Sequence, residues 1–197
     1  LQLTVKGTIN HQSSTFPLVN YFLELYKVKP ILSSGQLELT LQRLCHQLIE
    51  NHYPFQNTAF VGLQPRGIAL AERLVSRIRA IYPDLKIDYG QLDITFYRDD
   101  IHKQIHIANQ TTINFPIENR SVVLIDDVLY TGRTIRAAMD ALIDFGRPSK
   151  VELCVLIDRK FNRQLPIQPD YAGKVIDTIF SQNVTVNWEQ EEVLIHS

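Results

Sequence analysis

The run Val122-Val123-Leu124-Ile125-Asp126-Asp127-Val128-Leu129-Tyr130-Thr131-Gly132-Arg133-Thr134 constrains this chain more than any other segment. Four consecutive β-favouring apolar residues read as a buried strand. Two adjacent carboxylates follow, then a hydroxyl-and-glycine turn. Ile135, Ala138, Met139 and Leu142 next fall at helical spacing. A helix N-terminus offers free N–H groups that can hold a phosphate. Carboxylates at a strand end can accept hydrogen bonds from ribose hydroxyls. Strand, acid pair, Thr-Gly-x-Thr turn and helix start together predict a site for a phosphorylated sugar. The competing reading is an ordinary strand-to-helix turn whose acids cap the helix, since Asp and Thr are favoured there. One cap needs only one acid, so two of them weigh toward the sugar phosphate.

At 197 residues the chain is expected to be one domain, able to bury about 70% of its unfolded surface. Net charge is −1, so no global field drives nucleic-acid binding, and any RNA role needs a local basic face. Cys45 and Cys154 sit in apolar patterns and read as small core residues. No run approaches the ~18 apolar residues of a membrane helix and no signal pattern opens the chain, so a cytoplasmic protein without membrane contact is expected.

Residues 1–30 are mixed and polar and read as an N-terminal extension of unknown role, with a short helix from Leu18 to Val28. Residues 31–197 read as the folded domain. Ser33-Ser34-Gly35 starts an amphipathic helix running to about Asn51. Thr58 to Leu63 reads as a buried strand, and the turn Gln64-Pro65-Arg66-Gly67 leads into a helix carrying Ile68, Ala71, Leu74, Val75 and Ile78. Lys86–Tyr89 and Leu92–Tyr97 read as two strands around Gly90. Residues 99–118 form a long polar loop, a length that is usually functional or disordered. Val151–Ile157 is another strand, with shorter ones near Val175–Ile179, Val184–Trp188 and Val193–Ile195. Alternating strands and helices predict an α/β fold with a mainly parallel open sheet, its ligands at the carboxyl ends of the strands.

The acid pair and Thr-Gly-x-Thr turn resemble the phosphoribosyl-pyrophosphate (PRPP) signature of the type I phosphoribosyltransferases. Two further runs narrow the resemblance, Val61 to Gly67 and Leu92-Asp93-Ile94-Thr95-Phe96-Tyr97-Arg98-Asp99-Asp100, as does the whole stretch Asp126 to Asp140 around the signature, joined by Arg147-Pro148, Asp158-Arg159 and Leu165-Pro166-Ile167. Over residues 31–197 the chain is similar to the pyrimidine operon regulators that double as uracil phosphoribosyltransferases. The resemblance implies the type I fold, with a helix-flanked parallel sheet, a small hood and a mobile loop. It implies the reaction of uracil and PRPP to UMP and pyrophosphate, with Mg²⁺ bound alongside PRPP; the alternatives are a UMP-gated RNA-binding regulator with residual catalysis and a type I transferase for another base. It also implies leader-mRNA binding when UMP fills the site, and a homo-oligomer of two or more chains.

Roles follow from the matched positions. Thr131, Gly132, Arg133 and Thr134 are expected to wrap the 5′-phosphate, and Asp126 and Asp127 to hold the ribose hydroxyls directly or through Mg²⁺. Tyr130 stands where purine-using relatives carry an acidic base. Arg66 is expected to meet the pyrophosphate, and Gly67 to let the next helix start close to it. Pro65 replaces the family's usual Thr there, removing a hydroxyl and an N–H donor. Arg98, Asp99 and Asp100 introduce the long loop and are expected to close it over PRPP; a charged strand exit is the equal alternative. Asp158 and Arg159 match positions near the uracil site. His102 and His106 read as solvated loop residues rather than a metal pair. Arg43, His46 and Arg147 match positions on the RNA-binding face, with Lys150, Lys160 and Arg163 as additions, against an ordinary polar helix face as the alternative. Gln42 replaces a usual Thr there.

Overall fold

The computed structural model describes residues 28–97, 110–179 and 181–196. Five strands form one parallel sheet in the order β3-β2-β4-β5-β6. They are β2 (Thr58–Leu63), β3 (Asp88–Leu92), β4 (Ser121–Leu129), β5 (Lys150–Arg159) and β6 (Tyr171–Ile176). A second, antiparallel sheet has the order β1-β8-β7, from β1 (Val28–Leu32), β7 (Asn183–Asn187) and β8 (Glu192–His196). Among the described residues there are three α-helices, α1 (Ser34–His52), α2 (Gly67–Ile81) and α3 (Arg133–Leu142), and three short 3-10 turns.

The central strands are apolar on both faces because both faces are covered. Alternation along β4 sends Val123 and Ile125 into a cluster with Leu44 and Leu48 of α1 and Leu70 and Leu74 of α2. It sends Val122 and Leu124 into a second cluster with Ile135, Ala138 and Leu142 of α3. Cys45 and Cys154 are buried core residues, as expected.

Three expectations are corrected. First, β3 is one strand passing through Gly90, not two strands around it. A Cβ at Gly90 would stand 2.7 Å from the Thr112 carbonyl oxygen, so the close pass of residues 110–115 depends on that glycine. Asp93 then accepts hydrogen bonds from the Thr95 amide (2.9 Å) and hydroxyl (2.6 Å), which winds Thr95–Tyr97 into a short 3-10 turn instead of a strand. Second, β6 begins at Tyr171 rather than Val175. Its register beside β5 seats Gly173 against the Leu156 carbonyl oxygen, 2.4 Å from where a Cβ would be. Third, Val28, Lys29 and Pro30 are not extension but strand: Val28 lies opposite His196 across β1 and β8. The rest of residues 1–30, and the helix expected there, lie outside the described residues.

Candidate active site

A cleft of about 920 Å³ opens at the carboxyl ends of β2, β4 and β5. Its position follows from topology. The chain leaves β2 to build β3 on one side, then returns to place β4 on the other. Helix α2, which follows β2, packs over one face, whereas α3, which follows β4, packs over the other. The loops after β2 and β4 therefore diverge, and a crevice is left between them. Gly67 brings its two walls together. A Cβ there would lie 2.3 Å from the Ile125 carbonyl oxygen and 3.0 Å from the Asp126 Cα, so α2 starts directly against the strand that carries the acids. This sets Arg66 beside Asp126 and Asp127 in the cleft wall.

Both acids line the cleft, each only 7% exposed. Burial pushes the Asp126 carboxyl well above its usual pKa, and the charge of Asp127 pushes the same way; the Asp127 amide and Arg66 offset part of this. Asp127 is raised by burial too, against the pull of Arg66. Asp126 Oδ1 accepts the Asp127 amide at 2.9 Å. Among the described residues neither carboxylate is in a salt bridge. Nor do the acids cap α3: its N-cap is Gly132, in the left-handed region (φ 91°) and without a side-chain cap bond. The ordinary-turn reading is thus excluded for the acids. The start of α3 keeps N–H donors for an anion. Thr131, Gly132, Arg133 and Thr134 all line the cleft beside it.

Arg159 forms the far wall. It is 3% exposed, donates through Nε to Thr178 Oγ1 (2.9 Å) and through Nη2 to the Gln182 carbonyl (2.7 Å), and stacks 3.9 Å from the centre of the Tyr130 ring. Burial lowers its pKa, and Tyr130 works against that shift. Asp158 is also buried but is absent from the cleft lining; its carboxylate pairs with Arg163 behind the turn. Gln64, Ile94, Thr95, Gln164, Asn183 and Val184 line the cleft without having been expected there. Gln64 and Thr95 fall in runs that stand out in the sequence. Asn183 and Val184 come from the small sheet, and no local pattern marks them.

Residues 27–191 match the family model described as the phosphoribosyl transferase domain. The chain belongs to the phosphoribosyltransferase family. Its relatives include proteins named bifunctional protein PyrR. That of Limosilactobacillus fermentum is 43% identical over 164 residues, covering 81% of this chain and 90% of the relative. That of Caldicellulosiruptor bescii is 46% identical over 154 residues, covering 77% and 84%. A hypoxanthine phosphoribosyltransferase crystal structure from Staphylococcus aureus matches with a TM-score of 0.61 at 22% identity over 77% of this chain and 80% of that one, a likeness of fold.

In this phosphoribosyltransferase Arg98, Asp99, Asp100, His102 and His106 lie outside the described residues. From Gln110 onward the expected loop is packed: Thr111 Oγ1 accepts the Asp93 amide at 3.1 Å, and Ile117 is fully buried. Of the residues matched to an RNA face, Arg43 and His46 are exposed on α1, and Arg147 is exposed in the link after α3. The Arg43 guanidinium donates to the Ala172 and Gly173 carbonyls of β6. Arg163 is turned inward. Among the described residues no group of three or more His, Cys, Asp or Glu side chains could hold a metal, and no helix is long and apolar enough to cross a membrane.

Proposed function

We infer that this phosphoribosyltransferase joins uracil to the ribose of PRPP, forming UMP and releasing pyrophosphate, and couples that site to pyrimidine-gene regulation through leader mRNA. What carries the reading is the meeting of the buried acid pair, the Gly132 turn and Arg66 in one cleft, within a chain bearing the Leu92–Asp100 and Asp126–Thr134 runs.

The bond from the anomeric carbon to a pyrophosphate oxygen breaks as the bond to the uracil ring nitrogen forms, and that nitrogen's proton leaves to solvent. The anomeric carbon passes through an oxocarbenium-like centre, as in glycoside hydrolysis. The cleft's task is to hold phosphate, ribose and leaving group in line and away from water. Thr131–Thr134 and the start of α3 grip the 5′-phosphate, while Asp126 and Asp127 accept from the ribose hydroxyls and lie near the developing positive charge. Arg66 offers a planar, multi-donor cation to the pyrophosphate oxygens. The Tyr130–Arg159 stack walls the base end. No carboxylate stands at Tyr130, and uracil, whose ring nitrogen is comparatively acidic, needs no strong general base there.

A magnesium ion fits this donor set: two adjacent buried carboxylates, raised in pKa and outside any salt bridge among the described residues, suit a hard cation that shares oxygen ligands with a diphosphate. When bound, it would neutralise charge on the leaving pyrophosphate. On this reading the protein works in the cytoplasm as a homo-oligomer, and Arg43 and His46 on the exposed side of α1, with Arg147, meet RNA phosphates, so its RNA affinity falls steeply with salt.

The test is product analysis with Mg·PRPP and uracil, hypoxanthine or orotate. UMP from uracil alone is expected. Turnover of another base with none of uracil would overturn the reading. Asp127→Asn should cut turnover about 100-fold or more while leaving RNA binding in place.

A further inference from the structure

Next to the Thr131–Thr134 turn, and not part of the cleft lining, one guanidinium gathers carbonyls from three segments. Arg163, its side chain 17% exposed, donates through Nη1 to the carbonyls of Leu129 (3.1 Å), Tyr130 and Arg159 (3.1 Å). Its Nε donates to Ile167 (2.9 Å), and its Nη2 pairs with Asp158 Oδ1. A charge in so enclosed a place is costly unless paired, and Asp158 supplies the pairing. The segment after Arg163 closes on the same turn. The Gln164 and Leu165 amides donate to the Thr131 carbonyl at 3.0 and 3.3 Å, and Gln164 Oε1 accepts from Arg133 Nε at 2.8 Å. Ile167 and Leu165 pack where a Cβ of Gly132 would project.

The consequence is geometric. A trans peptide is planar, so a carbonyl and the amide that follows it point in opposite directions. With the Tyr130 and Thr131 carbonyls held by the Arg163–Leu165 segment, the Thr131 and Gly132 N–H groups are directed the other way. Neither peptide plane can turn without breaking bonds to that segment.

We propose that Arg163, with Asp158 as its counter-charge, is a positioning residue for the sugar phosphate: it fixes the peptide planes of the turn so that backbone donors meet the 5′-phosphate. This rests on reading Thr131–Thr134 as the phosphate cradle, and it gives Asp158 a task away from the base. Lysine cannot substitute, because a point ammonium lacks the planar fork that reaches four carbonyls and a carboxylate together.

Calorimetry on the full chain separates the parts, using Mg·PRPP and UMP as ligands with a 5′-phosphate and Mg·pyrophosphate as one without. Arg163→Lys should weaken PRPP and UMP binding by about 10–100-fold and leave pyrophosphate binding within about twofold. Asp158→Asn, which keeps the guanidinium and a neutral acceptor, should fall between the parent and Arg163→Lys; it carries the test if the lysine variant does not fold. Unchanged PRPP affinity in either folded variant, or equal weakening of all three ligands, would overturn the proposal. PRPP binding without uracil turnover in the parent chain would sink the uracil assignment and leave the role of Arg163 standing. Failure of the parent to bind PRPP at all would remove both.

Discussion

Burial and the adjacent Asp127 charge both favour the protonated form of Asp126, so the free acid pair retains a proton that two solvated aspartates would have lost. Any ligand bringing positive charge or hydroxyl donors to the pair reverses that preference. Binding of Mg·PRPP should therefore release protons, and its affinity should rise with pH from the ordinary carboxylate range up to the raised value. Calorimetry in buffers of different ionisation enthalpy counts those protons; a binding enthalpy independent of buffer would count against this. The same shift bears on stability. A pKa raised by folding stabilises the fold fully below the unfolded value, and that contribution is lost as pH climbs through the folded one. Asp126→Asn, which cannot ionise, should thus raise stability by about 1 kcal/mol in mildly alkaline solution, roughly 2–4 °C in Tm for a domain of this size. The gain should vanish near pH 4. Thermal melts at the two pH values measure it.

At the scale of the element, the site depends on how closely α2 begins against β4. Gly67→Ala puts a methyl into backbone atoms of Ile125 and Asp126 that cannot swing aside, and is expected to cost about 2–4 kcal/mol in denaturant unfolding. Gly35 is the control. It lies in the first turn of α1 with nothing within 4 Å of where a Cβ would stand, and alanine there should add about 0.5 kcal/mol by restricting the unfolded chain. Equal effects at the two positions would contradict the close approach. Hydrophobic spacing located α1, α2, β2, β4 and β5, because two covered faces demand continuous apolar strands and striped helices. The same pattern misread β3 and β6, whose positions are decided by Gly90 and Gly173 meeting backbone far away in sequence.

Over the whole molecule, the small sheet joins the cleft through contacts that span the chain. Asn183 and Val184 of β7 line the cleft, while Arg73 of α2 stacks 4.4 Å from the centre of the Trp188 ring. Trp188 also lines a recess of about 230 Å³ together with Arg66 and Asp127. It is the chain's only tryptophan, so its emission reports on this joint alone. Arg73→Ala should shift that emission and lower stability by about 0.5–1 kcal/mol. Unchanged fluorescence would mean that the stack does not hold the two sheets together.

The linear order strand, two acids, Gly turn, helix already determined that an acid pair, a glycine turn and a helix start stand together at the end of β4, because each part acts on its immediate neighbours. What only the tertiary structure decided is how the cleft around them is completed. The acids owe their raised pKa to enclosure by α2 and the adjoining strands, Asp158 is held out of the cleft lining by Arg163, and β7 supplies wall residues from a distant part of the chain. Desolvation and long-range pairing depend on which distant segments come together, and local residue spacing carries no record of that.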